Sequence, residues 1–197
     1  AIVLGMTFHS CLDLEPQDQL GGKNMWTSVN DYKQFANTFY SWTRDFSSVV
    51  YDGTHSDKRS DLITYQSYNE FSRGINSIPS SDANYTDNYK HIRRTNLLLQ
   101  NAEAYAKPED IKQYIGEAYF FRAYSYFDLL QLYGDVIITK KPLDITDPEM
   151  KVKRNDRSEV VDLIIDDLNH AVENLPAFKE LTTEEEGRIS KEGAQAF

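Results

Sequence analysis

The chain has 197 residues, enough to bury the core of about one domain, and its 40% hydrophobic and 26% charged content is ordinary for a globular protein. A formal net charge of −10 argues against nucleic acid as a partner, because an acidic surface repels a polyanion. A single cysteine excludes an internal disulfide and a cysteine-built metal cluster, while 13 Tyr, 10 Phe and 2 Trp supply an unusual amount of ring surface.

Residues 1–10, AIVLGMTFHS, form an apolar run too short to span a bilayer. With the small Ser10 directly before Cys11, the run resembles the cleavage site of a bacterial lipoprotein. Residues 1–10 then read as the remnant of a signal peptide and Cys11 as the lipid attachment site. Residues 11–25, with Pro16 and the Gly21-Gly22 pair, read as a tether. Ser28 is placed to cap a first helix, on which Tyr32, Phe35, Phe39, Trp42 and Phe46 share one face. From about Ser47 to Ala83 the periodicity fails and Ser, Asp, Asn and Gly dominate. A connection this long usually carries function, and a short helix over Tyr65–Phe71 is expected within it.

The centre of the chain, Tyr85 to Tyr133, predicts a helical hairpin. Tyr89, Ile92, Asn96, Leu99 and Glu103 fall at three- and four-residue steps, as do Ile111, Ile115, Ala118, Arg122, Tyr126, Leu129 and Tyr133. Lys107-Pro108 breaks the two helices apart, and Gly134 stands where a left-handed cap is wanted. A polar loop follows the apolar run Val136–Ile138. Asp156 and Glu159 then form a capping-box pattern ahead of a helix striped by Val161, Ile164, Leu168, Ala171 and Leu175, which Pro176 ends. Ser190 marks one more helix start, and because the chain ends one turn later it reads as part of something longer. Paired helices that need further helices to cover them predict a mainly α fold of tetratricopeptide-like hairpins with long irregular loops, truncated at its C-terminal end.

Chemistry-bearing clusters are sparse. His9, His55, His91 and His170 show no metal-ligand spacing, Asp166 and Asp167 point different ways on a helix, and no glycine-rich phosphate loop is present. Neither catalysis nor a cofactor is expected.

Several runs, in order, resemble the SusD/RagB family: Tyr89-Lys90-His91-Ile92 with Thr95-Asn96, Gly116-Glu117-Ala118-Tyr119-Phe120-Phe121-Arg122-Ala123, Leu132-Tyr133-Gly134-Asp135-Val136, then Glu159-Val160, Asp167-Leu168, Leu175-Pro176 and Gly187-Arg188-Ile189-Ser190-Lys191. The resemblance makes residues 26–197 an incomplete SusD-like N-terminal helical domain. It implies a lipid-anchored protein on the outer-membrane surface of a Bacteroidota-type bacterium, one that binds an oligosaccharide, or a peptide in some members, and delivers it to a TonB-dependent SusC-like transporter. It also implies ligand contacts at Tyr85, where the family carries Trp, at Asn88 one turn on, and at Asp61 in the preceding loop. Glu117 and Arg122 belong to the family's scaffold motif. Standing five apart, they are expected to hold neighbouring helices and not each other. A helical-repeat adaptor that binds only proteins is the competing class.

Overall fold

Helix ends follow from local chemistry. The computed structural model describes residues 25–44, 74–75, 77–144 and 146–197, and its α-helices are α1 (Val29–Asn37), α2 (Ala83–Glu103), α3 (Lys112–Tyr133), α4 (Arg157–Asn174) and α5 (Lys191–Ala196). Asp31 reaches back to accept the Ser28 N–H at 2.8 Å, and Glu159 accepts the Asp156 N–H at 3.0 Å, so both helix starts satisfy donors the helix itself cannot. Asp82 caps α2 by accepting the Asn84 N–H at 2.9 Å, and Ser190 caps α5 by accepting the Gly193 N–H at 3.2 Å. Pro108 opens a 3-10 turn, Pro108–Ile111, that feeds α3, and Gly134, at φ 72°, ends that helix.

Each helix runs antiparallel to the one before it from α1 to α4. Tyr32 of α1 donates its hydroxyl to the Asn101 carbonyl near the end of α2, while Arg94, a helical turn or two earlier on α2, donates to Thr38 just beyond α1. Across the α2–α3 pair, Asn96 meets Arg122 and Asn88 meets Asp128; across α3–α4, Arg122 meets Asp167 while Gly116 faces Leu175. A Cβ on Gly116 would lie 2.9 Å from Leu175 Cγ, so the close approach of the two helices needs glycine there. The architecture is mainly α, with stacked tetratricopeptide-like hairpins. Among the described residues the extended backbone makes only an isolated bridge, Val136 with Asn155.

α3 is the axis. Gly116, Glu117, Ala118, Phe120, Phe121, Arg122, Ala123, Ser125, Tyr126, Asp128 and Leu129 are all buried, so the helix is covered on nearly every side and not along one stripe. The expected stripes on its neighbours hold at Ile92 and Asn96 of α2, at Ile164 and Ala171 of α4 and at Leu175 just past its end, but the buried arcs include flanking positions as well. Leu98, not Leu99, is fully buried on α2, and Glu103 is exposed; on α4 Val160 and Leu163 are buried while Val161 stands at the surface. In each case the helix packs against two neighbours at once, which broadens the buried arc beyond a single-partner stripe.

Two buried carboxylates hold the stack. The Arg122 guanidinium makes a fork on Asp167, Nε–Oδ2 2.8 Å and Nη2–Oδ1 2.6 Å, and gives its third nitrogen to Asn96 Oδ1 at 2.8 Å. Arg188, ahead of α5, makes the same fork on Glu117 with both distances 2.8 Å. Glu117 and Arg122 therefore tie α3 to different neighbours. The core divides in two: an aromatic cluster of Tyr32, Phe35, Phe39, Phe120 and Phe121 around α1 and the first half of α3, and a smaller cluster of Ile92, Tyr126, Leu129, Val136, Val160 and Ile164 at its other end.

Cys11, Asp61, Phe46 and the helix expected over Tyr65–Phe71 lie outside the described residues. No described helix is long and apolar enough to cross a membrane.

Candidate functional site

The N-terminal turns of α2 form one wall of a cleft of about 420 Å³, a volume within the usual range for small-molecule sites, ~300–1,000 Å³. Tyr85 and Tyr89, four apart and so on one helix face, supply its ring surface; their centroids are 4.8 Å apart at 49°. Behind them Tyr133, at the end of α3, meets the Tyr85 ring edge-on at 5.1 Å and donates its hydroxyl to Asp82 Oδ2 at 2.7 Å. One aspartate thus both caps α2 and ties it to α3, and the Tyr133 hydroxyl, followed by the main-chain donors, holds the Asp82 carboxyl below its ordinary range.

The opposite wall is the segment after α3, represented in the cleft by Ile137, Thr139, Lys141 and Leu143, with Met150 beyond. It is extended yet has no neighbouring strand among the described residues, and side chains take the place of one. The Tyr89 hydroxyl accepts from the Ile137 N–H at 2.9 Å and donates to the Ile137 carbonyl at 2.8 Å. Tyr126 does the same at Thr139, accepting at 2.7 Å and donating at 3.2 Å. Asn155 accepts the Ile138 N–H at 2.9 Å, and Asn96 donates to the carbonyls of Thr139 at 3.0 Å and Lys141 at 3.3 Å. Burial is the main reason both phenols stay protonated far above neutral pH, so each keeps the proton its donated bond needs.

Around this apolar interior stand Lys90, Arg93, Lys141 and Glu149. Arg93 donates to the Leu143 carbonyl across the mouth of the cleft, and Lys141 pairs with Glu149 at 2.6 Å. No group of three or more His, Cys, Asp or Glu among the described residues could hold a metal. The cleft offers apolar ring surface beside a few charged groups at its rim.

Of the residues expected to contact ligand, Tyr85 lines the cleft and is half-buried, with ring surface left for a guest. Asn88 does not share that opening. It is buried, and its amide donates to the Asn84 carbonyl at 2.9 Å and to Asp128 Oδ2 at 2.7 Å; Asp128 also receives Arg44. Three residues along a helix is a turn of about 300°, and here that difference sends Tyr85 outward and Asn88 into the seam with α3. The cleft residues that sequence reasoning passed over are Tyr89, Lys90 and Arg93. Tyr89 had the appearance of a core position, although its four-residue spacing from Tyr85 was the signal that the two rings stand together.

Comparison with known proteins agrees with this architecture. The model of the SusD-like family, described as starch-binding and associating with the outer membrane, matches residues 12–197. The chain belongs to the SusD-like family. A SusD-like protein of Formosa agariphila is 27% identical over 185 residues, which cover 85% of this chain and 34% of that one. The crystal structure of a SusD-like protein from Bacteroides fragilis superposes with a TM-score of 0.73 at 26% identity, covering 92% of this chain and 36% of its own. A laminarin-binding SusD-like protein matches with a TM-score of 0.56 and 29% identity over 64% of this chain and 27% of its own. This SusD-like chain therefore spans about a third of the length of the relatives it matches.

Proposed function

We propose that this protein binds an oligosaccharide at the outer-membrane surface and delivers it, without catalysis, to a TonB-dependent SusC-like transporter. The observation that carries the reading is the cleft on α2, where Tyr85 and Tyr89 present ring surface in a pocket of small-molecule size within a SusD-like scaffold. A phenol face suits the apolar C–H face of a pyranose, and the polar groups at the rim suit its hydroxyls. The laminarin-binding relative supports a glycan as guest. In the same reading Asp61, from the sequence ahead of α2, adds a carboxylate that accepts from sugar hydroxyls away from Lys90 and Arg93, Cys11 carries the lipid that holds the protein to the membrane, and Asn88 supports Tyr85 from behind by fixing α2 to α3.

Titration calorimetry against a panel of neutral and acidic oligosaccharides tests it. Binding by the wild type and an affinity about tenfold weaker in Tyr85→Ala are expected, the loss one stacked ring face accounts for. No heat from any saccharide at millimolar concentration overturns the reading. Co-purification of a β-barrel transporter with the lipidated protein, lost on Cys11→Ser, tests the anchoring and delivery.

A further inference from the structure

We infer that the cleft selects acidic oligosaccharides, those bearing carboxylate or sulfate groups, and that Lys90 and Arg93 are the residues that make the selection. The inference rests on the preceding reading that the cleft holds a saccharide. Among the described residues four charged side chains line it, and two of them form a pair within the lining: Lys141 Nζ stands 2.6 Å from Glu149 Oε1. Lys90 and Arg93 are left, three apart on α2 and therefore neighbours on its surface, each four residues along from a cleft residue, Thr86 and Tyr89. Rings and cations thus form successive turns of one helix wall. A pyranose lying on Tyr85 and Tyr89 places its edge substituents one turn along, at the two cations.

The carboxylates that meet these cations do so from outside the cleft. Asp87 lies 2.8 Å from Lys90 Nζ, and Asp144 lies 3.7 Å from Arg93 Nη2, with side-chain exposures of 51% and 82%. Exposed pairs of this kind contribute little, because water screens them and two long side chains must be held still. A ligand anion arriving from the cleft side competes with them on favourable terms. Arg93 is the better placed of the two. Its bond to the Leu143 carbonyl fixes the guanidinium across the mouth, and a planar fork of donors matches a carboxylate or sulfate edge. The described lining, without the outer Asp87 and Asp144, carries three cations against one anion, a balance that runs against a chain whose formal net charge is −10.

Calorimetry with four defined probes decides the matter: tetramers of galacturonate and of sulfated galactose, and neutral tetramers of galactose and glucose. Each is measured at about 0.02 M and about 0.3 M NaCl, a change that shortens the screening length several-fold. At least one acidic tetramer is expected to bind about tenfold or more tighter than its neutral counterpart at low salt, and to lose most of that margin at high salt. Arg93→Gln and Lys90→Gln are each expected to weaken acidic binding by about fivefold or more and neutral binding by clearly less, because the amide still offers a hydroxyl a donor but no charge to an anion. Among the described residues Lys90 bonds to no main-chain group, so Lys90→Gln keeps the test valid if Arg93→Gln loosens Leu143. Neutral tetramers bound as tightly as acidic ones, dependent on Tyr85 and indifferent to Lys90 and Arg93, overturn the charge selection and leave the saccharide reading standing. Binding of an acidic peptide with no saccharide bound overturns both.

Discussion

The two ends of the α2–α3 hairpin are built from the same residue types to opposite effect. At the closed end, where the chain turns through Pro108, rings meet rings. Tyr32 packs edge-on to Tyr105 at 5.1 Å, and Phe121 touches Phe39, Tyr40 and Phe120 at 5.7, 5.0 and 5.3 Å. At the open end the rings of Tyr85, Tyr89 and Tyr133 also touch, but their surroundings are main-chain groups and a cleft. Aromatic packing closes the helix pair at one end, and at the other the tyrosines line an open cleft. The difference lies in what each hydroxyl finds: Tyr32 uses one bond to reach a neighbouring helix, whereas Tyr89 uses its oxygen twice to hold a wall in place.

That contrast is open to attack at either end. Phe121→Ala, in the closed end, removes a ring with 1% exposure and is expected to cost about 3–5 kcal/mol of unfolding free energy in a urea titration, with the saccharide affinity of the surviving folded fraction unchanged. Tyr89→Phe keeps the ring and removes the oxygen that serves Ile137, leaving a part-buried N–H and carbonyl to find water. A loss of about 1–3 kcal/mol is expected, together with a measurable drop in ligand affinity, because the lost bonds belong to the cleft wall. If Phe121→Ala weakens binding as much as Tyr89→Phe, the two ends are not separable.

The smallest effect concerns the seam between them. His91 stacks on Trp42 with centroids 4.1 Å apart and planes 14° from parallel, and burial pushes its imidazole down to about 4, with Asp87 opposing and Arg94 and Lys90 adding to the fall. A histidine with a lowered folded pKa takes up protons more readily when unfolded, so its penalty grows as pH falls from about 6.5 to about 4. Discounted for its partial exposure, the loss is on the order of 1 kcal/mol. Thermal unfolding followed across that window is expected to show a shallower fall in His91→Gln than in the wild type; identical slopes would remove His91 from the account.

Much of the scaffold is readable from short-range rules. Ser28, Asp156 and Ser190 cap where local chemistry says they must, and Pro108 and Gly134 bound the central helix. The side each helix turns inward is less readable. α3 carries Glu117, Arg122 and Asp128 inside its buried surface; spacing puts Arg122 on the inward face, but a search for apolar stripes leaves Glu117 and Asp128 outside it. Their partners, Arg188, Asp167 and Asn88, lie 71, 45 and 40 residues away in the chain, distances over which spacing says nothing. Asn88 illustrates the cost at the site: its residue type suits a sugar hydroxyl, and only the position of Asp128 reveals that its amide is already committed. The cleft wall has the same origin, since no local signal in Ile137–Thr139 announces that tyrosines from two helices bind its main chain.

Those tyrosines give the segment an unusual spectroscopic character. The amide protons of Ile137 and Thr139 each point at a phenolic oxygen, and that of Ile138 at an asparagine oxygen. In deuterated water the three are expected to exchange slowly, in step with the opening of the helix pair, as strand amides do. Yet among the described residues the segment belongs to no sheet. Slow exchange here would reflect the packing of Tyr89 and Tyr126, and a guest that pries those rings apart would announce itself first as deuterium uptake at these three residues.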